Sequence, residues 1–375
     1  MNKTPDTTRA AYYDIVLVGL GPAGATFARL LATARPDLTI LAIDRKRPAR
    51  TGDANAHDGF RKPCGGLLAP DAQRSLARLG LTLPKEVLVD PQIFAVRTLD
   101  LPRRLTRNYQ RFYLNLDRHK FDDWLISLIP KNVCIERGAA VTGIQQEADK
   151  TFSLDYKNAQ GECAQTSAGL LIGADGARSL VRRTFFPKHT MRQFVSIQEW
   201  FQSDNPLALY LSFFDPETSP CYSWACSKDG YFIVGGAFER TYAREKFELL
   251  IQRLTARGFS LGKFCRREAC LISFPERLRD FCPGDREGHV FLMGEAAGFI
   301  SPSSFEGLSY AFDSAEALAN TLEREGEVTT TSAAAAYRRA TRPLRLKLLQ
   351  KRLKAGVLYN RHLRALIMKS KLGAL

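Results

Sequence analysis

The first residues with chemistry in them are a glycine turn and one acidic side chain. Gly19-Leu20-Gly21-Pro22-Ala23-Gly24 has the spacing G-x-G-x-x-G and follows the apolar run Ile15-Val16-Leu17-Val18. Between a strand and a helix, such glycines permit a tight turn, let the backbone approach a pyrophosphate, and let helix and strand pack closely. The amides of a helix starting at Pro22 then face the phosphates. Asp44, with Arg45 beside it, lies about 20 residues past the turn, at the end of the next apolar run. There a carboxylate can accept from a ribose hydroxyl pair. The ligand this set fits is a dinucleotide.

Further clusters lie downstream. Gly173-Ala174-Asp175-Gly176 is followed by Arg178, Ser179, Val181 and Arg182, and Gly294-Glu295-Ala296-Ala297-Gly298 follows another apolar run. Both resemble the motifs that FAD-dependent hydroxylases and reductases carry, G-A-D-G-x-x-S-x-V-R and G-D-A-A-H/G, with Glu295 where that family usually has Asp. Arg118, with Phe121 and Asp122, matches their R-x-x-F-D pattern. More narrowly, Arg61-Lys62-Pro63-Cys64-Gly65-Gly66-Leu67 and Pro302-Ser303-Ser304-Phe305-Glu306-Gly307-Leu308 resemble the K-x-C-G-G and P-x-x-x-E-G-I segments of geranylgeranyl reductases. Over nearly its whole length the chain is similar to the CbrA-type flavoproteins of that group.

The resemblance implies FAD as cofactor. It places Gly19, Gly21, Pro22, Ala23, Gly24, Asp44 and Arg45 on the adenosine and pyrophosphate half. Asp175, Gly176, Gly294, Glu295, Ala297 and Gly298 belong to the flavin half, with Glu295 accepting from the ribityl chain. Cys64, Gly65, Gly66 and Arg118 lie near the ring, and Glu306, Gly307 and Leu308 bring a helix start to its pyrimidine side. Amide dipoles there would stabilise negative charge on reduced flavin.

Three side chains are candidates for catalysis. A thiol at Cys64 either donates a proton and tunes redox behaviour or merely tolerates a tight turn. Tyr222 and Trp224 match the aromatics of the Y/W-x-W-x-F-P segment that lines the lipid cavity of geranylgeranyl reductases. Cys226-Ser227 replaces the Phe-Pro. The two rings either flank a substrate or fill the core of a sheet. His57 and His119 read as solvated or structural.

These residues need a scaffold. Helices are predicted over 22–34, 70–79, 117–129 and 304–322, and core strands over 13–19, 38–44, 169–173 and 290–294. Residues 191–275 alternate apolar and polar around Gly and Pro, as antiparallel strands do. The fold expected is α/β: a Rossmann-type FAD-binding domain of the p-hydroxybenzoate-hydroxylase/geranylgeranyl-reductase type, with a mostly antiparallel β-sheet substrate domain and C-terminal helices. The expected boundaries are 10–82, 114–186 and 284–330 for the first domain and 83–113 and 187–283 for the second. A basic helical segment, 331–375, follows.

Composition limits the function classes. The chain has 375 residues, a net charge of +15 and eight cysteines. With no signal-like start and no apolar run near the ~20 residues of a membrane span, it reads as cytoplasmic, with scattered cysteines as reduced thiols. From Ala333 to the end there is no acidic residue, so an anionic membrane surface or an acidic redox partner is expected to meet this segment. Its apolar surface would come from Leu344, Leu346, Leu348, Leu349, Leu353, Val357 and Leu358, which either pack on the flavin domain or reach lipid. No helix-turn-helix, zinc-finger or RNP pattern points to nucleic acid. No metal site is expected either.

The function expected is reduction of a carbon–carbon double bond in a hydrophobic, polyprenyl-type substrate, with NADPH or a ferredoxin-like protein as electron donor. The alternative is a flavin-dependent monooxygenase or halogenase, which shares the same motifs. A basic protein holding flavin only structurally and a plain NAD dehydrogenase are less well matched.

Overall fold

The structure is a computed structural model and describes residues 11–48, 63–325 and 330–370. His57, Arg61 and Lys62 fall outside these residues, as does the tail from 371. In chain order the elements are β1 (Ala11–Val18), α1 (Pro22–Ala34), β2 (Ile40–Asp44), β3 (Leu67–Leu68), α2 (Pro70–Arg78), β4 (Ile93–Asp100) and β5 (Leu105–Asn115). Then come α3 (Arg118–Ser127), β6 (Val133–Arg137), β7 (Ala140–Gln146), β8 (Phe152–Lys157), β9 (Cys163–Gly173), α4 (Leu180–Phe185), β10 (Arg192–Gln202), β11 (Leu209–Phe214), β12 (Ser223–Lys228) and β13 (Tyr231–Phe238). The chain closes with α5 (Ala243–Thr255), β14 (Phe264–Phe274), β15 (Val290–Leu292), α6 (Leu308–Arg324), α7 (Thr331–Ala340), α8 (Arg342–Tyr359) and α9 (Arg361–Ser370).

The fold is α/β, with helices around two sheets. In the first sheet β6, β2, β1 and β9 run parallel, β15 joins β9, and β8 and β7 extend it antiparallel. Ile15 to Val18 of β1 are all buried, as a strand covered on both faces requires. Ile15, Leu17, Ile40 and Ala42 face a cluster fed by α1, α3 and α6. Val16, Val18, Leu41 and Ile43 face the opposite way, against Phe152, Leu154 and Val181.

The second sheet has the order β14-β10-β13-β12-β11-β4-β5-β3. It is antiparallel apart from the β11–β4 pair. Leu211, Phe213, Ala225 and Val234 point toward Phe247, Leu250 and Leu254 of α5. Strand alternation therefore turns Tyr210, Ser212, Trp224, Cys226 and Lys228 to the other face. On that face Trp224 covers Gly65 and Lys228 reaches Gly66 O, and there the site lies.

Two details differ from the sequence reading. Leu67–Leu68, expected within the first domain, pairs with β5 at the edge of the second sheet. The helix expected from Ser304 begins at Leu308 instead. Phe305 has a φ of 52°, and Ser301 N–H donates to the Glu306 carbonyl at 2.9 Å, so the intervening residues form a turn.

Candidate active site

The glycine turn is shaped by its neighbours. Gly19 has a φ of +100°, and a Cβ there would sit 2.6 Å from the Ala174 carbonyl oxygen. A Cβ on Gly24 would lie 1.9 Å from Gly19 O, so only glycine lets α1 start this close to its own turn. At Gly21 a Cβ would meet nothing within 4 Å. The space over that residue, beside the first amides of α1 with Pro22 and Ala23, is open. Asp44 is buried; Oδ2 accepts from Leu20 N–H at 2.5 Å and Oδ1 from Lys46 N–H at 2.6 Å. Each oxygen keeps a second lone pair for a hydroxyl. Arg45 interacts electrostatically with Asp44 and Asp175, linking the end of β2 to the second motif.

In that second motif Asp175 Oδ2 accepts from Leu180 N–H at 2.6 Å and so caps α4. Its Oδ1 is buried without a partner. Burial pushes this carboxyl up, against hydrogen bonds from Ser179 and the Leu180 amide. Gly176, with a φ of +75°, opens the next turn. An orphaned acceptor beside the glycine turn, open space over Gly21 and the first amides of α1 together fit an FAD-like dinucleotide.

The rest of the motif serves packing: Ser179 caps α4 through Arg182 N–H, Val181 lies under Gly173, and Arg182 donates to Ala296 O at 3.0 Å and Asp280 O at 2.7 Å. Arg182 thereby ties this motif to the segment from Gly294 to Gly298. A Cβ on Gly294 would stand 3.1 Å from Ala23 Cβ, which brings the third motif, with buried Ala297, against the first. Glu295 reaches across to the second sheet, where Oε1 accepts from Ser273 N–H at 2.9 Å.

Cys64, Gly65 and Gly66 pass along the site face of the second sheet. Gly66 N–H lies 3.4 Å from Cys64 Sγ, and Arg118 also hydrogen-bonds that thiol. Arg118 is fixed by Asp122, whose Oδ1 accepts from Nε at 2.7 Å while Oδ2 accepts from Lys46 Nζ at 2.7 Å. Burial alone would raise the Asp122 carboxyl, but Arg118 and Lys46 overcome it and hold it near 2. Lys228 is buried, and its Nζ donates to Leu116 O at 2.8 Å, to Gly66 O at 3.3 Å and to Asn115 Oδ1. Burial, largest among the causes, pulls its pKa down.

Aromatic side chains continue the wall. Trp224 is held between two glycines. A Cβ on Gly65 would lie 3.4 Å from its ring, and one on Gly235 would lie 2.5 Å away. Tyr210 stacks on Trp224 with centroids 6.4 Å apart, and Tyr113 stands 5.6 Å from Tyr210. Tyr210 OH donates to Tyr222 OH at 3.5 Å, and Tyr222 OH donates to Ser304 O at 2.7 Å. Burial pushes Tyr222 up to about 12, so it remains a phenol that donates. These rings are half-buried, as the wall of a cleft would be. Tyr359 of α8 closes one side, donating to Ser303 O at 3.0 Å. Glu306 accepts from Ser309 N–H at 2.9 Å at the start of α6, whose N-cap is Gly307 and whose first residue is Leu308.

No protein-family model matches the chain. Protein CbrA of Escherichia coli O9:H4 (strain HS) is 46% identical over 359 residues, covering 96% of this chain and 93% of that protein. The chain belongs to the CbrA family. Among solved structures, a geranylgeranyl bacteriochlorophyll reductase-like protein from Thermoplasma acidophilum aligns with a TM-score of 0.79 at 18% identity, covering 97% of this chain and 93% of that one. Aklavinone-11 hydroxylase, in complex with FAD and aklavinone, aligns with a TM-score of 0.58 at 18% identity, covering 86% of this chain and 63% of its own. The fold of this CbrA-family chain is therefore that of FAD-binding monooxygenases and reductases.

Sequence reasoning did not single out Lys228, Asn115, Tyr210 or Tyr113 for the site. One signal was present. Strand alternation from Trp224 puts a lysine on an inward face at position 228. Nothing local marks Asn115 or Tyr359.

Proposed function

We propose that this chain binds FAD and, as a flavin-dependent oxidoreductase, reduces a carbon–carbon double bond of a hydrophobic substrate laid on the aromatic wall. The observation that carries this reading is the wall itself, Tyr113–Tyr210–Trp224, which ends on Gly65 beside Cys64. When bound, FAD supplies two-electron hydride chemistry. The glycine turn and the α1 amides would hold its pyrophosphate, and Asp44 and Asp175 would accept from its hydroxyls. Trp224 and Tyr210 exclude water and align the alkene. Cys64 Sγ holds the proton that the second carbon requires, positioned by Arg118 and the Gly66 amide. Tyr222 spends its proton on Ser304 O and so positions the turn before α6 rather than acting as the acid.

The cofactor is tested directly: purified protein should be yellow and release FAD, not FMN, on denaturation. Gly21→Val should abolish binding, because its side chain would fill the space over the turn. A Gly21→Val protein that keeps its FAD would refute the cradle. For the reaction, dithionite-reduced protein and a polyprenyl substrate should give, without oxygen, a product heavier by two hydrogens. A product that needs oxygen and gains an oxygen atom would instead assign the chain to the monooxygenases, whose fold it shares.

A further inference from the structure

The reading above uses one thiol, and the fold sets a second against the same short loop. On β12 the residues facing that loop are Trp224, Cys226 and Lys228, each touching a glycine of it. Trp224 covers Gly65, Cys226 Sγ lies 3.9 Å from Gly65 O as donor, and Lys228 Nζ lies 3.3 Å from Gly66 O. From the loop side, Cys64 Sγ is 3.4 Å from Gly66 N and is hydrogen-bonded by Arg118. The two sulfurs thus bracket glycine backbone that carries no side chain between them. They interact electrostatically with each other and with Lys228.

Their surroundings differ. Cys226 is fully buried, and burial pushes its thiol up to about 11, whereas Cys64 is partly exposed. An accessible thiol beside a buried, protonated one is the arrangement of an attacking and a resolving cysteine. Cys226 also stands where the resembling reductases have phenylalanine, so the second sulfur distinguishes this chain from that pattern.

We propose that Cys64 and Cys226 form a two-electron redox pair that closes a disulfide across Gly65 when oxidised and exchanges electrons with the flavin. Oxidation makes the S–S bond and releases two protons and two electrons, which reduce the flavin. In reverse, reduced flavin supplies both electrons, the S–S bond breaks, and each sulfur takes up a proton. Transient pairs of this kind are how disulfides occur in reducing compartments. The electron exchange rests on the FAD reading; the disulfide does not.

The test uses the full chain as purified. After brief treatment with diamide and alkylation of remaining thiols, peptide mass spectrometry should find Cys64 linked to Cys226. Exposed Cys134, changed to Ser, should leave that link intact. Cys226→Ser and Cys226→Ala should both lose it. Anaerobic dithionite titration of the oxidised holoprotein should consume about twice the reducing equivalents per flavin that the Cys226→Ser protein consumes. Failure to link the two cysteines in wild-type protein would overturn the pair, whatever the cofactor. A link that forms, with equal equivalents in wild type and Cys226→Ser, would overturn the electron exchange. A link found in protein that never takes up FAD would remove the cofactor reading while leaving the thiol pair standing.

Discussion

Arg364 is among the largest side chains sealed inside the protein, at 1% exposure, although it belongs to the basic C-terminal segment. From α9 its Nε donates to Asp100 Oδ2 at 3.0 Å, Nη2 stands 2.9 Å from the same oxygen, and Nη1 donates to Leu358 O at 2.9 Å. Its guanidinium lies 4.5 Å over the Phe214 ring. Arg364→Met keeps the stem but leaves the buried Asp100 carboxylate with the Arg103 amide, 3.2 Å from Oδ1. Removing one partner of such a pair costs about 3–5 kcal/mol. The surviving amide bond places the expectation at about 3 kcal/mol, which urea unfolding followed by circular dichroism would read. Asp100→Leu should be similarly damaging, because it strands the guanidinium. The double replacement removes both charges and should fall within about 1 kcal/mol of wild type, since well-packed apolar substitutes for a buried pair are often neutral. An Arg364→Met protein within about 1 kcal/mol of wild type, or a double variant as unstable as the two singles added, would refute the reasoning.

Asp122, held near 2 against an ordinary value of 3.8, has a folded pKa below its unfolded one. Its stabilisation is therefore full above about pH 4 and lost as pH falls toward 2, on the order of 2 kcal/mol. Asp122→Asn should flatten the acid limb of a stability-versus-pH curve, and an unchanged limb would count against the triad with Arg118 and Lys46. Gly235→Ala would put a methyl 2.5 Å from Trp224, while Gly65→Ala would come only to 3.4 Å. Thermal melting should show a loss of about 1–3 kcal/mol for the first and little for the second, and the reverse order would contradict the clamp on Trp224. Leu346 and Leu353 are 51% and 75% exposed on α8 among cations, and Leu363 and Leu366 on α9 are also exposed. Vesicles containing anionic lipid should sediment the protein at low salt and release it at high salt, because the attraction is screened within ~10 Å at 0.1 M. Equal binding to neutral vesicles would exclude a charge-led contact.

The charge of the tail shows how far reading along the chain reaches. From sequence it is a uniform run of cations with leucines between them. In the fold, Lys347 meets Asp71 at 3.0 Å, Arg352 meets Glu276 at 3.6 Å, and Leu348 is buried in the first-sheet core. Leu344 and Leu349 pack against the same cluster, and Leu358 is buried. Part of the segment is therefore a clamp on the body, while among its described residues Leu346, Leu353, Leu363 and Leu366 stay exposed.

What the sequence by itself determined was local. The turn from β1 into α1 follows from Gly19, Pro22 and Gly24, because positive φ, a fixed N1 residue and a backbone crossing need those types whatever surrounds them. Strand alternation and the amphipathic face of α3 were equally legible, since their periods are set within a few residues. Tertiary structure decided the rest. Whether Asp175 caps a helix or meets a ligand depends on where α4 lies. Glu295 accepts from Ser273 N–H because the second sheet packs against the third motif there. Asn115 meets the Cys64 loop through the register of β3 on β5, and Lys228 of β12 reaches both, bonding Leu116 O across 112 positions and Gly66 O across 162. Periodicity cannot fix such pairings, because register between distant strands is chosen by the whole core at once.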